Sequence, residues 1–123
     1  MKAYGKKVWL IPDGFLDPVS NGQISHEAIC VLNTSEKDAV IRLTFFFEDR
    51  EADGSFVSAC ASMRTHHIRL DKLRNERGQE VPRGVPYAVL VESDTPIVVQ
   101  HSRLDTAQPE LALMTTIAFG VDE

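Results

Sequence analysis

The sequence lacks the features that mark secreted, zinc-binding or membrane-spanning proteins. It has two cysteines, Cys30 and Cys60, and their spacing matches no zinc motif. No uncharged apolar run approaches the roughly 20 residues of a membrane-spanning helix. The lysines near the N-terminus precede no apolar stretch of signal-peptide length. We therefore expect a cytoplasmic protein with no membrane insertion, whose cysteines are buried thiols and not a disulfide.

Positive charge is also scarce, since 13 Lys and Arg stand against 18 Asp and Glu and the formal net charge is -5. Such a chain repels a phosphate backbone unless basic residues form a local patch or several subunits pool them. One local stretch is rich in basic residues: Arg64, Arg69, Lys72, Arg74 and Arg77. Asp71 and Glu76 interrupt it, which is more typical of a solvated face than of a phosphate-binding track.

Length and composition indicate one ordinary globular domain. The chain has 123 residues and a mass of 13.7 kDa, and it is 43% hydrophobic and 25% charged. A domain of this size buries enough surface to fold without disulfides or metal, and two separate cores would be hard to fit. We assign residues 1–123 to a single domain.

The hydrophobic pattern has a period of two along most of the chain, and Val40–Glu48 shows it best. One face of this segment carries Ile41, Leu43, Phe45 and Phe47. Arg42, Thr44 and Glu48 lie on the other face, and Phe46 joins them, so that face too is expected to be partly covered. This pattern predicts a strand packed on a core.

Alternation and turn signals predict about eight strands in all. The others are Val8–Ile11, His26–Leu32, Phe56–Cys60, Thr65–Leu70, Tyr87–Glu92, Ile97–Leu104 and a last element at 111–119, whose first residues favour helix and whose later ones favour strand. Turns are predicted at Pro12-Asp13-Gly14, at Asp53-Gly54 and at Ser93-Asp94-Thr95-Pro96, and one helical turn at 71–77. The sequence therefore predicts an all-β, antiparallel β-sandwich.

Three polar residues at strand spacing form the strongest candidate site. His101, Arg103 and Asp105 share one face with the apolar Ile97 and Val99. A buried arginine needs a carboxylate, so Arg103 is expected to pair with Asp105 or Glu27. Two interpretations stay open at this point: an internal ion pair that fixes packing or a subunit contact, and a pocket for an anionic or hydroxylated ligand.

Enzyme chemistry has weaker support. Three histidines with Glu27 or Asp105 could bind zinc or iron, but no two histidines stand at a diagnostic spacing, and His66 and His67 face opposite ways on a strand. Ser25-His26-Glu27 is consecutive and cannot form a triad. We therefore predict no enzyme activity, no metal and no cofactor, with a metal-dependent enzyme as the less favoured alternative.

Several motifs resemble the sensory rhodopsin transducer family. They are Ser25-His26-Glu27-x-x-Cys30-x-Leu32-Asn33, Arg64-Thr65-x-His67, the run from Pro96 to Asp105, and Glu110-x-Ala112-Leu113-x-x-Thr116-Ile117-Ala118. The resemblance covers nearly the whole chain. It implies a single β-sandwich domain that assembles as a homotetramer. It also implies a class of small-molecule-binding domains with sugars or related polar metabolites as ligands.

The resemblance also implies a set of ligand-binding residues. By position these are His26, Glu27, Arg64, His67, Gln100, His101, Arg103 and Asp105, and Trp9 is expected to add an apolar wall. The founding member is a partner of a membrane photoreceptor to which DNA binding has also been attributed. Fold and motif alone do not transfer a photoreceptor partner to this chain. We expect a non-catalytic ligand-binding or signal-transducer protein, with a DNA-binding regulator as the alternative.

Overall fold

The computed structural model describes residues 2–18, 24–106 and 112–122. Within these ranges the chain forms eight β-strands and no helix. The strands are β1 (Lys6–Phe15), β2 (His26–Asn33), β3 (Ala39–Phe47), β4 (Asp53–Cys60), β5 (Arg64–Arg69), β6 (Pro86–Asp105), β7 (Ala112–Ile117) and β8 (Phe119–Val121). The predicted all-β sandwich is confirmed. Among the described residues no helix is long and apolar enough to cross a membrane.

Two antiparallel layers share the 20-residue strand β6. The first half of β6 pairs with β1 and β3 in a layer ordered β4-β3-β6-β1-β8. The second half pairs with β2 and β7 in a layer ordered β5-β2-β6-β7. Because one strand belongs to both layers, residues far apart in sequence are brought to the same end of the sandwich.

The core lies between the layers and consists of the strand faces that the period-two hydrophobic pattern predicts to be buried. Ile41, Leu43 and Phe45 on β3 are fully buried, whereas Phe46 is 43% exposed on the other face. The Phe45 ring packs edge-on against Phe56 at 4.9 Å and against Tyr87 at 5.4 Å between ring centres. Burial of such side chains is the main stabilising term of the fold.

The turn predicted at Ser93-Asp94-Thr95-Pro96 is wrong, because β6 runs straight through it. Among the described residues, 94–96 have no partner in either ladder. The last paired residue before them is Ser93, and pairing resumes at Ile97, opposite Lys6, and at Val98, opposite Leu32. The segment is where the strand crosses from one layer to the other. A proline is tolerated there because no ladder hydrogen bond needs its missing N–H.

The turn predicted at Pro12-Asp13-Gly14 is also wrong. β1 continues to Phe15 through a register shift between Ile11 and Gly14, so the turn-prone residues form an irregularity in the strand. Gly14 is required by a close approach, because a Cβ at this position would lie 2.3 Å from the Tyr87 ring. The missing side chain lets β1 pass directly over Tyr87.

Two smaller predictions differ from the structure, and two agree with it. β4 begins at Asp53, so the reversal falls at 48–52 and not at Asp53-Gly54. The 71–77 segment forms turns and isolated bridges in place of a helical turn, since its Asp71 binds Arg69 instead of capping a helix.

The strand assignment for the last element is confirmed over 112–117, with residue 111 outside the described ranges. Both cysteines are free thiols, as expected.

Candidate functional site

A fully buried carboxylate, that of Glu27, lies at one end of the sandwich. Its Oε1 accepts hydrogen bonds from the Tyr87 hydroxyl at 2.6 Å and from His101 Nε2 at 2.9 Å. Its Oε2 accepts from the Phe15 backbone amide at 2.8 Å and from Arg103 Nε at 2.6 Å. Because an ionised carboxylate can only accept, His101 must carry its proton on Nε2. We call Glu27, Tyr87, His101 and Arg103 the Glu27 cluster.

The cluster ties the two layers together. Phe15 and Tyr87 belong to the layer of β1 and β3, whereas Glu27, His101 and Arg103 belong to the layer of β2 and β7. Glu27 stands directly opposite Arg103 in the antiparallel register. No buried side-chain nitrogen or oxygen in the described residues is left without a partner. A buried charge is tolerated under these conditions, since every lone pair that faces the core is satisfied.

The electrostatics favour an ionised Glu27. Burial pushes the pKa of this carboxyl upward, but the hydrogen bonds from His101, Tyr87, the Phe15 amide and Arg103 outweigh it and hold the pKa below its ordinary value. Burial first, and then the charge of Glu27, raise the pKa of Tyr87. Burial lowers the pKa of Arg103, but the bond and charge of Glu27 more than compensate, so the pKa is raised. The cluster is a carboxylate, a guanidinium and a neutral phenol.

The lowered pKa predicts a stability contribution that acid removes. A carboxyl with a depressed folded pKa stabilises the fold above its unfolded pKa of about 4.3, and this stability is lost as pH falls through the folded pKa. We expect urea unfolding to show a free-energy gap between the wild type and Glu27→Gln that is constant above about pH 5 and narrows as the pH falls below about 4. Comparing the two proteins removes the contributions of Asp53 and Asp71, whose pKa values are also lowered. If the difference in unfolding free energy between the two proteins stays constant down to the pH of acid unfolding, the pKa of Glu27 is not lowered in the folded protein.

Arg103 has the buried partner that its sequence context predicts. Glu27, not Asp105, is the carboxylate that pairs with it, and the arginine side chain remains 26% exposed. Its Nε is used by Glu27, and its two terminal nitrogens donate no hydrogen bond within the residues that the structure describes. The guanidinium is thus held at one nitrogen and available at the others.

A small cleft lies beside the arginine. It is lined by Arg103 and by Phe15, Asp17, Ser25, His26, Leu104 and Asp105. Its volume of about 20 Å³ is enough for one water molecule and not for a metabolite. A metabolite therefore does not fit inside this cleft.

The structure places four of the candidate residues elsewhere. Arg64 faces Asn33 at the far end of β2, about 20 Å from Glu27 at the usual strand rise. His67 and Gln100 both lie opposite Cys30, on the face of the layer that points away from Glu27. Trp9 is buried in the core, and its indole donates to the carbonyls of Lys6 and Ile97. The single pocket expected from these residues is not formed.

Sequence reasoning missed Tyr87 and the Phe15 amide. Tyr87 lies on the same face of β6 as the buried Val89 and Val91, and a tyrosine on a buried face needs a partner for its hydroxyl. That signal could have identified Tyr87 as a polar core residue. No sequence signal identifies the Phe15 amide, because its role depends on the irregularity in β1.

Three of the five residues in the basic stretch pair with carboxylates. Arg69 pairs with Asp71 at 2.8 Å, Arg74 with Glu80 at 3.4 Å, and Arg77 with Asp53 at 3.7 Å. These three arginines therefore have carboxylates beside them, whereas Arg64 donates to the carbonyls of Ser62 and Met63. In the described parts of the chain, no three metal-binding side chains come together.

A larger open groove, of about 860 Å³, lies between the start of β4 and the 75–82 loop. Asp53 in this groove already accepts hydrogen bonds from Ser55 and Asn75, and Asn75 also binds Gln79. Arg77 completes the network through Asp53 and Gln79. These polar groups hold the loop onto β4.

Comparison with known proteins gives a consistent family assignment. The family model described as "Anabaena sensory rhodopsin transducer" matches residues 4–120. A crystal structure of Thermotoga maritima 1070 is 36% identical, with a TM-score of 0.85 over 95% of this chain and 96% of that one. The structure of the Anabaena sensory rhodopsin transducer is 34% identical, with a TM-score of 0.76 over 89% and 96%. No curated protein matches the sequence.

Proposed function

Because the chain belongs to the Anabaena sensory rhodopsin transducer family, we propose that it is a non-catalytic, cytoplasmic signal-transducer protein that binds a small polar metabolite on the outer side of Arg103. A sugar or a related hydroxylated compound suits this position best. The binding residues in this proposal are Arg103, His26 and Asp105, which line the same cleft. Glu27 holds the arginine through its Oε2, and His101 bonds the other oxygen of Glu27.

The observation that carries the proposal is the pre-organised guanidinium. Glu27 holds Arg103 through Nε at 2.6 Å, the arginine side chain is 26% exposed, and its terminal nitrogens donate no hydrogen bond within the described residues. A guanidinium group that is already held in place loses little conformational entropy when a ligand binds, so its hydrogen bonds contribute more to the affinity. This distinguishes Arg103 from Arg64, which donates to the carbonyls of Ser62 and Met63.

The charges around the arginine favour a hydroxylated ligand over a strongly anionic one. Asp17 and Asp105 line the cleft with Arg103, and Asp13 is close enough to raise the pKa of the arginine. Carboxylates repel a phosphate or a dicarboxylate but accept hydrogen bonds from hydroxyl groups. Arginine and carboxylate together provide both donors and acceptors for a polyol.

The absence of catalysis is part of the proposal and is supported by the bonding of the cluster. Both oxygens of Glu27 are saturated by four donors, and the side chain is fully buried. A general acid or base needs to reach a substrate proton within hydrogen-bond distance, which this carboxylate cannot do without breaking the cluster.

We further propose that the working unit is a homotetramer, as the family resemblance implies. The similar structure named as a sensory rhodopsin transducer supports a receptor as the class of partner. The DNA-binding alternative has less support, because the chain has a net charge of -5 and three of the five residues in its basic stretch pair with carboxylates.

A ligand screen with two matched variants tests the site. Thermal shift against a panel of sugars, polyols and sugar acids should identify a compound that stabilises the protein, since a ligand at 100 times its Kd adds about 2.7 kcal/mol. Calorimetric titration of that compound should then show affinity at least tenfold weaker for Arg103→Lys, which keeps the charge but loses the fork. Arg64→Lys is the matched control, because the same change is made about 20 Å away.

Three results would contradict the proposal. If no compound of the panel stabilises the protein, the claim that it binds a small polar metabolite is contradicted. If Arg103→Lys binds the compound as tightly as the wild type, the claim that Arg103 forms the binding site is contradicted. Loss of binding in Arg77→Lys, with Arg103→Lys unaffected, would place the ligand in the larger groove instead. Circular dichroism of each variant confirms that the fold is retained.

A further inference from the structure

A cysteine and a histidine stand side by side on the outer face of the second layer, away from the Glu27 cluster. Cys30 on β2 is partly exposed, and His67, which lies opposite it on β5, is exposed. Gln100 lies opposite Cys30 on β6, and the hydroxyl of Ser102 is 3.8 Å from Cys30 Sγ. We call Cys30 and His67 the outer pair.

The register of β2 and β5 brings the thiol and the imidazole within reach of each other. The Leu70 amide donates to the Glu27 carbonyl at 2.9 Å, and these two residues continue the register of the two strands. Hydrogen-bonded and non-hydrogen-bonded pairs alternate along an antiparallel ladder, so Cys30 and His67 form a non-hydrogen-bonded pair. In such a pair the Cα atoms are about 4.5 Å apart and the side chains leave the sheet on the same face. Contact between the two side chains therefore needs no movement of the backbone.

The groups that share this face with Cys30 are basic or uncharged. Within the described residues, no Asp or Glu occupies an outward-facing position of β2, β5, β7 or the second half of β6. The basic groups on the face are His26, His67 and Arg69, and Arg69 is bonded to Asp71 of the following turn at 2.8 Å. The outward-facing residues of β6 and β7 are Val98, Gln100, Ser102, Leu104, Leu113, Thr115 and Ile117. A thiolate, which is the reactive form of cysteine, is favoured beside basic groups and disfavoured beside carboxylates.

The second cysteine of the chain has the opposite surroundings. Cys60 is 1% exposed in the core, and its Sγ donates to the Arg64 carbonyl at 3.3 Å. Burial raises the pKa of the Cys60 thiol. Cys60 is therefore an inert thiol against which the reactivity of Cys30 can be measured in the same molecule.

We propose that Cys30 is a site of reversible thiol–disulfide exchange with a low-molecular-weight disulfide, and that His67 accepts the proton of its thiol. The Cys30 thiolate attacks one sulfur of the disulfide, and a new S–S bond joins Cys30 to that sulfur. The original S–S bond breaks, and its other sulfur leaves as a thiolate that takes up a proton. Cys30 is oxidised and the leaving sulfur is reduced, so the disulfide is the only oxidant. The exchange needs no ligand at Arg103 and does not rest on the proposed function.

Two disulfide reagents test the site on the folded protein. With 5,5′-dithiobis(2-nitrobenzoate) at neutral pH, the first of the two free thiols should react rapidly and the second only after unfolding in urea. Glutathione disulfide should add a single glutathionyl group, which peptide mass spectrometry should locate at Cys30 and dithiothreitol should remove. Cys30→Ser should abolish both reactions while the protein is folded.

His67→Gln tests the base, and His66→Gln is its matched control. Cys30 should react at least about threefold more slowly in His67→Gln at neutral pH, because an unassisted cysteine is only a few per cent thiolate there. The rates of His67→Gln and the wild type should converge near about pH 9.5, where a thiol ionises without a base. His66→Gln should react like the wild type, since His66 faces the other side of β5 and its Nδ1 is 2.6 Å from the Ala59 carbonyl oxygen.

The site and the base are contradicted by different results. If Cys30 reacts no faster than Cys60 in the folded protein, or if the glutathionyl group is found on Cys60, Cys30 is not an exchange site. If His67→Gln reacts like the wild type at neutral pH, or is slowed equally at both pH values, His67 is not the base, although Cys30 remains the site. Circular dichroism shows whether each variant is folded. Failure of the ligand screen would contradict the proposed function and would change neither of these measurements.

Discussion

Replacing Glu27 with glutamine is expected to cost about 3–5 kcal/mol of unfolding free energy, because removal of one member of a buried ion pair leaves the other charge uncompensated. The amide can still accept bonds from Tyr87 and His101 through its oxygen. Its NH₂ group, however, would face the Phe15 amide and Arg103 Nε, so donors would oppose donors at 2.8 and 2.6 Å. The loss would be a large part of the roughly 5–15 kcal/mol that stabilises a typical domain.

Urea unfolding of both proteins at neutral pH measures this cost. Glu92→Gln is the matched control, since it makes the same substitution at an exposed position of β6 and should change stability by less than about 0.5 kcal/mol. A loss below about 1 kcal/mol for Glu27→Gln would mean that the cluster relaxes around an amide, and the buried ion pair would then not stabilise the fold.

Removing the aromatic ring of Phe45, which packs against Tyr87, should reduce the free energy of unfolding by a similar amount. Phe45 is fully buried and packs edge-on against Phe56 and Tyr87. Phe45→Ala should destabilise the protein by about 3–5 kcal/mol, through lost burial and the cavity that remains. The change also removes one wall of the Tyr87 ring, whose hydroxyl binds Glu27, so the phenol should become more mobile.

The next residue provides the control. Phe46 points to the opposite face and is 43% exposed, so Phe46→Ala should cost clearly less than Phe45→Ala in the same denaturation experiment. Ring-proton NMR of Tyr87 should broaden or shift in Phe45→Ala and stay unchanged in Phe46→Ala. Equal free-energy losses for the two variants would contradict the assignment of buried and exposed faces on β3.

The two predictions address one structural feature, the attachment of the layers at the end that carries Arg103. Phe45 supports Tyr87 from the first layer, and Glu27 binds Tyr87 to the second. The position of the Arg103 guanidinium therefore depends on core packing as well as on its own ion pair.

The sequence alone determined those features of the fold that depend on neighbouring residues. The period-two pattern of β3 identifies its buried and exposed faces, because adjacent side chains on a strand must point to opposite sides. A buried arginine requires a carboxylate wherever it lies, so the chemistry of Arg103 limits its partner to a residue such as Glu27 or Asp105. The family, too, is readable from the motif around His101.

The tertiary structure alone decided which residues meet. Glu27 is the partner of Arg103 because the register of β2 and β6 places them opposite each other, and the same register puts Arg64 at the far end of β2. Turn-prone residues at 93–96 do not reverse the chain, because β6 uses them to pass between layers. Register and layer crossing arise from contacts between residues far apart in the chain, and side-chain alternation, which reports only the face of each residue, contains no information about them.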